Sequence, residues 1–167
     1  AARAEGVPTL MVNLDVVPGK ANRWLGRRCD RIVSAVETPD FPTFSRHLIG
    51  MPLRQCAIAD RPPANCRMEL GLDPKRQTLL ITGASQGAQS LNELVPALIA
   101  AKAQPFSSWQ VLHLAGPDRA DGLASRYEEL GVPAKVLPFL DAIGLAWGAA
   151  DLAISRAGAN SVAEARA

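Results

Sequence analysis

The sequence predicts an α/β protein whose larger part is a parallel sheet layered with helices. Three observations carry that prediction. From residue 78 onward strand-like and helix-like stretches alternate as βαβαβαβα, the order a parallel sheet needs because each crossover returns through a helix. Thr78-Leu-Leu-Ile-Thr82 is continuously apolar or β-branched rather than alternating, as befits a strand buried on both faces. That strand empties through Gly83-Ala-Ser85-Gln-Gly87 into a helical pattern with Leu91, Leu94, Val95 and Leu98 on one face. A glycine turn between strand and helix allows close backbone approach and leaves unpaired N–H groups at the helix start, which attract phosphate or another anion.

The elements follow in order. Val7 to Val12 reads as a short buried strand, a loop holds Asn13-Leu-Asp15, and a helix over Lys20–Cys29 opens after Pro18-Gly19. Arg31–Val36 and His47–Gly50 read as further strands, so residues 1–53 form the tail of one α/β domain. Gln55 to Pro74 is rich in Arg, Pro and Asp with little periodicity, and residues 54–77 read as a linker and entry to a second domain, with Leu72-Asp-Pro74 ending a short helical turn. In residues 78–167 the helix after the glycine turn carries Pro96, which predicts a kink. Strands follow at Trp109–Ala115, Ala134–Phe139 and Asp151–Ser155. Helices are expected over Arg119–Leu130, closed by Gly131, from about Asp141, and from near Gly158. The order implies a Rossmann-like sheet with its ligand crevice at the carboxyl ends of the strands.

Bulk properties narrow the class. A chain of 167 residues with 48% hydrophobic content can bury a sizeable core, and a formal net charge of +2 argues against nucleic acid as the main partner. Cys29, Cys56 and Cys66 are odd in number and lack C-x-x-C spacing, so neither a disulfide framework nor a zinc site is implied. No apolar run reaches the roughly 18–20 residues of a membrane span. No initiating Met is present and the chain stops within a helical pattern, so a fragment of a longer protein is expected.

Chemistry gathers in three stretches at the expected carboxyl ends: the glycine turn, Pro138-Phe-Leu-Asp-Ala-Ile143, and Ser155-Arg-Ala-Gly158-Ala-Asn-Ser161-Val-Ala-Glu164. The second offers backbone to a flat ring. The third repeats the exit from strand through small residues into helix; Ser161 offers a hydroxyl to phosphate there, and Glu164 stands where a carboxylate accepts from vicinal ribose hydroxyls.

Thr-Gly83-Ala-Ser85-Gln-Gly87-Ala, Leu137-Pro-Phe-Leu140-Asp, and Ser155 to Glu164 together resemble the MurG family of peptidoglycan glycosyltransferases. Pro18-Gly19-Lys-Ala-Asn22-Arg-Trp-Leu and Ile49-Gly50-Met-Pro52-Leu-Arg54 match two further signatures in the same order. The resemblance covers nearly the whole chain. It implies a GT-B architecture, two Rossmann-like domains around a cleft, with residues 1–53 from the acceptor domain and 78–167 a truncated donor domain. It implies transfer of N-acetylglucosamine from UDP-GlcNAc to undecaprenyl-pyrophosphoryl-MurNAc-pentapeptide (lipid I), inverting at the anomeric carbon to give lipid II.

By the same resemblance, Ser85 and Gln86 lie beside the sugar-diphosphate and Arg54 is a donor-binding arginine. The backbone at Leu140 pairs with uracil; Ala159, Asn160 and Ser161 line the diphosphate; Glu164 holds the ribose. Asp15 and Asn22 fall on the acceptor side. The family's candidate base histidine belongs to an earlier glycine-rich loop and its sugar-reading glutamines lie downstream, neither within this chain, so the chain alone is not expected to turn over substrate. No Asp-x-Asp occurs, and transfer without metal or cofactor is expected. Peripheral contact with the cytoplasmic face of the plasma membrane is also implied. Lys20, Arg23 and Arg27 share a helix region that is either a solvated face or a contact for anionic headgroups.

The departures and rival readings are specific. Where the family carries His-Glu-Gln-Asn before Pro-Gly, this chain has Val12-Asn13-Leu14-Asp15, which leaves acceptor identity open. Asp15 is the one candidate base, with a loop cap as the rival role. A UDP-sugar-binding protein with another acceptor, or with no transfer activity, is the alternative; a UDP-sugar epimerase is a neighbouring one. Gly83-Ala-Ser85-Gln-Gly87 also fits the nucleophile elbow of α/β-hydrolases, with Ser85 as nucleophile, although His113 is the only later histidine. His47, His113, Trp24 and Trp109 read as structural, the two tryptophans as core packing.

Overall fold

The structure is a computed structural model that describes residues 2–83, 87–102 and 104–167. Two compact units divide it, Ala1–Pro52 and Leu53–Ala167.

In the first unit, β1 (Leu10–Asn13) and β2 (Arg31–Ser34) pair in parallel, Leu10 opposite Arg31 and Asn13 opposite Ser34. The crossover is α1 (Lys20–Gly26), which starts behind an extended Gly19. Its close packing depends on Gly26, where a Cβ would meet the Phe44 ring at 2.9 Å. The strand expected at His47–Gly50 is a single parallel bridge: Ser34 donates its N–H to His47 O, and Ile49 returns one to Ser34 O, both at 2.9 Å. Trp24 does not pack into the core as expected. It is 56% exposed, and the Arg28 guanidinium lies 3.9 Å from its ring centroid. Arg28 lies in the turn just past α1 and reaches back four residues, stacking the cation on the indole face.

The second unit is a four-stranded parallel sheet. Its strands are β3 (Gln77–Thr82), β4 (Trp109–Leu114), β5 (Ala134–Leu137) and β6 (Leu152–Ser155), in the order β5-β4-β3-β6. The helices are α2 (Pro63–Glu69), α3 (Gln89–Ala101), α4 (Ala120–Glu129), α5 (Ile143–Ala149) and α6 (Ala159–Glu164). The apolar run of β3 is divided by the two-residue period of a strand. Leu80, with Leu112 and Leu114 of β4, packs beneath α2 and α5; Leu79 and Ile81, with Val111, face the opposite layer that includes Val95 of α3 and Tyr127 of α4. Trp109 and Ile154 border that second core. α3 runs through Pro96 to Ala101, and Gly131 adopts φ +66° after α4, as its C′ position requires.

The stretch from Gln55 to Pro74 is more structured than its composition predicts. A 3-10 turn spans Gln55–Ala57, and α2 opens with Pro63 in its first turn. Cys66 is fully buried against α5. Arg67 is 8% exposed: its Nε donates to Ala149 O at 2.9 Å, Nη1 to Pro74 O at 3.2 Å and Nη2 to Asp151 Oδ2 at 2.7 Å. The same Oδ2 accepts the Thr78 N–H at 2.7 Å. A buried arginine satisfied by distant carbonyls leaves no apolar period along the chain, which is why the sequence predicts only a short helical turn before Leu72-Asp-Pro74 and not the whole of α2.

Candidate functional site

The strand order sets the site. From β3 the chain moves outward to β4 and then β5 on one side, then crosses back to lay β6 on the other. Connections leaving the carboxyl ends of β3 and β6 therefore diverge, and a crevice opens between them. A cavity of about 310 Å³ lies at those ends. Thr82 and Leu114, the last residues of β3 and β4, line it. Pro138, Phe139 and Leu140 follow β5 and form one wall; Ile143 and Trp147, four residues apart on α5, form another. Asn160, Ser161 and Glu164 of α6 complete the polar side, and Arg54 contributes the cation.

Five of the residues singled out from sequence thus share one cavity: Arg54, Leu140, Asn160, Ser161 and Glu164. Ala159 opens α6 directly before them and is exposed. Asp15 is exposed in the loop after β1, where its carbonyl accepts a hydrogen bond from Asn13 Nδ2 at 2.8 Å. Asn22 is half-buried on α1, so both acceptor-side residues belong to the first unit. Ser85 and Gln86 lie outside the described residues.

The glycine turn does approach backbone closely. Gly87 has φ +66°, and a Cβ there would stand 2.2 Å from Ala115 O. A Cβ on Gly83 would meet Ala88 N at 2.1 Å, so Gly83 and Ala88 lie side by side. Behind it, Asn92 of α3 donates through Nδ2 to the same Ala115 O at 2.9 Å. Asn92 Oδ1 lies 3.0 Å from His113 Nε2, and Tyr127 OH lies 2.9 Å from His113 Nδ1. Burial pushes His113 down to about 4 and pushes the Tyr127 phenol up. His113 is structural, as expected. With both ring nitrogens engaged it is no base for Ser85, and the hydrolase reading finds no other later histidine in this chain.

Sequence reasoning missed Trp147. Its indole Nε1 donates to Glu164 Oε2 at 3.3 Å. The available signal was its spacing from Ile143, one helix turn past the flat-ring stretch. Among the described residues no three His, Cys, Asp or Glu side chains come together to hold a metal.

A parallel sheet with this strand order and polar groups at its carboxyl ends defines a Rossmann-like α/β domain. Residues 78–167 match the glycosyltransferase family 28 C-terminal domain. A UDP-N-acetylglucosamine--N-acetylmuramyl-(pentapeptide) pyrophosphoryl-undecaprenol N-acetylglucosamine transferase of Nocardioides sp. is 44% identical over 170 residues, covering 100% of this chain and 46% of the relative. The enzyme of the same name from Frankia casuarinae is 41% identical over 169 residues, covering 98% of this chain and 44% of the relative. A crystal structure of Acinetobacter baumannii MurG matches with a TM-score of 0.68 at 26% identity, covering 98% of this chain and 44% of that one. The chain belongs to glycosyltransferase family 28, with the α/β, GT-B-type fold of its C-terminal domain in the second unit. It spans less than half the length of these relatives.

Proposed function

We propose that this chain is mainly the donor-binding part of an enzyme that moves N-acetylglucosamine from UDP-GlcNAc to lipid I, with inversion, to make lipid II. The observation that carries the reading is the convergence of Arg54, Leu140, Asn160, Ser161 and Glu164 on one cavity at the sheet's switch point. Membership of the family supports it, as do relatives whose names specify that transfer.

In this reading uracil lies against the backbone at Leu140 and Glu164 accepts from the ribose hydroxyls. The diphosphate meets Asn160 and Ser161, with Ala159, Ser85 and Gln86 beside it and Arg54 nearby. The acceptor's 4-hydroxyl attacks the anomeric carbon; the new C–O bond forms as the bond to the β-phosphate oxygen breaks, and UDP leaves with the bonding electrons. Polar donors and a cation beside the diphosphate stabilise the charge that grows there. The hydroxyl proton passes to a base, for which Asp15 is this chain's candidate, with Asn22 on the acceptor side.

A lipid-borne acceptor implies peripheral work at the cytoplasmic face of the plasma membrane. The basic α1, with Arg23, its C-cap Arg27 and the exposed Trp24, supports such a contact. Among the described residues no helix is long and apolar enough to cross a membrane. The stretch Val12-Asn13-Leu14-Asp15 favours a second reading, the same donor with another acceptor.

Labelled UDP-GlcNAc with a panel of lipid-linked acceptors, assayed on the full-length protein, separates these readings. Label appearing in lipid II supports the first, and transfer to another acceptor alone replaces it. Glu164→Ala is expected to weaken UDP severalfold, about 1–2 kcal/mol; unchanged affinity would refute the ribose role.

A further inference from the structure

Glu164 is half-buried in the polar side of the cavity, on a helix of only six residues. A glutamate there has several rotatable bonds, and binding a ligand would have to freeze them. The structure already restrains the side chain through Trp147 Nε1, 3.3 Å from Oε2. An indole N–H is a donor only, so the direction of this bond is fixed.

Trp147 is itself held from behind. Ile143, Ala146 and Ala149 of α5 are buried in the core beneath the sheet. Gly144 packs on the Ile58 carbonyl so closely that a Cβ would stand 2.4 Å from its oxygen, and one on Gly148 would stand 2.8 Å from Cys66 Sγ. α5 therefore cannot roll or retreat without rebuilding its contact with α2, and the indole is a donor on a fixed mount. With one site on Oε2 occupied, the carboxylate keeps Oε1 and a second lone pair on Oε2, enough for two hydroxyl donors.

We propose that Trp147 is a positioning residue whose indole N–H holds the Glu164 carboxylate in the orientation that meets a vicinal diol bound in the cavity. The inference rests on the uridine-diphosphate reading of that cavity and adds a specificity element to it. The indole acts through Glu164, and its ring serves only as wall toward the rest of the ligand.

A double-mutant cycle read by calorimetry on the full-length protein tests this. UDP and its 2′,3′-dideoxy analogue are titrated into wild type, Trp147→Phe, Glu164→Ala and the double variant. Trp147→Phe is expected to weaken UDP about fivefold to tenfold, the scale of one charge-assisted bond. It should leave the dideoxy analogue within about twofold, and add less than about twofold on the Glu164→Ala background. Equal losses for both ligands, or a full additional loss in the double variant, would overturn the proposal and leave Trp147 as wall alone. Absence of UDP binding by wild type would overturn the cavity reading and this proposal with it. If circular dichroism shows Trp147→Phe unfolded, Trp147→Met replaces it in the cycle, since it fills space without a donor.

Discussion

Gly87 and Gly131 share the same backbone conformation, φ +66°, but not the same surroundings. At Gly131 nothing stands within 4 Å of an added methyl; at Gly87 the methyl would lie 2.2 Å from Ala115 O, 2.7 Å from Ala115 C and 2.9 Å from Gly116 Cα. Gly131→Ala should therefore cost only the left-handed strain, about 1 kcal/mol. Gly87→Ala adds a clash with backbone that has no rotamer to change, about 1–3 kcal/mol more, for a total of about 2–4 kcal/mol. Moving Ala115 O would also stretch its 2.9 Å bond from Asn92 Nδ2. Urea unfolding of the two variants beside wild type measures the difference, and UDP titration gives a second readout. Gly87→Ala should lower the midpoint clearly more and weaken UDP, whereas Gly131→Ala should leave UDP affinity unchanged. Equal midpoints for the two variants would refute the close approach of the glycine turn to β4.

Two further perturbations bear on the frame around the site. Burial holds His113 near 4 against 6.5 for an ordinary histidine. The unfolded chain takes up a proton as pH falls through 6.5 while the folded chain refuses it until about 4, so stability from this group is full above about 6.5 and is lost between 6.5 and 4. The loss is about 3 kcal/mol, and His113→Gln should flatten that part of the stability–pH profile. Arg67→Met removes three hydrogen bonds and leaves Asp151 holding only the Thr78 N–H. A loss of about 2–4 kcal/mol in urea unfolding is expected, with UDP affinity of the folded fraction unchanged.

What could be read from sequence is what repeats along it. The strands of the second unit announce themselves because β3 and β4 are apolar on both faces, and their exits through Gly83, Gly87 and Gly158 are local signals of turn and helix start. Glu164 and Ser161 could be found because their distance from a strand exit fixes their place at the carboxyl edge. The exposure of Trp24 could not, nor could the extent of α2 beyond a short turn. An indole sheathed by Arg28 from the turn just past its helix and a helix whose central Arg67 is buried both break the rule that apolar means inside and charged means outside.

The polar chain behind the glycine turn was invisible for a different reason: its members come from α3, β4 and α4, and no spacing links Asn92, His113 and Tyr127. Its sense can nonetheless be worked out. Asn92 commits its amide N–H to Ala115 O, so the atom facing His113 Nε2 is the acceptor Oδ1 and Nε2 must carry the proton. Nδ1 is then the acceptor, and Tyr127 donates to it. One proton arrangement satisfies every group, and a protonated imidazole would set a donor against the Tyr127 hydroxyl in a site that disfavours charge. The chain ends on the same Ala115 carbonyl against which Gly87 is packed. The height of Gly87 above the sheet is thus set jointly by a missing methyl and by a buried hydrogen-bonded histidine, and a change at either should be felt at the cavity's edge.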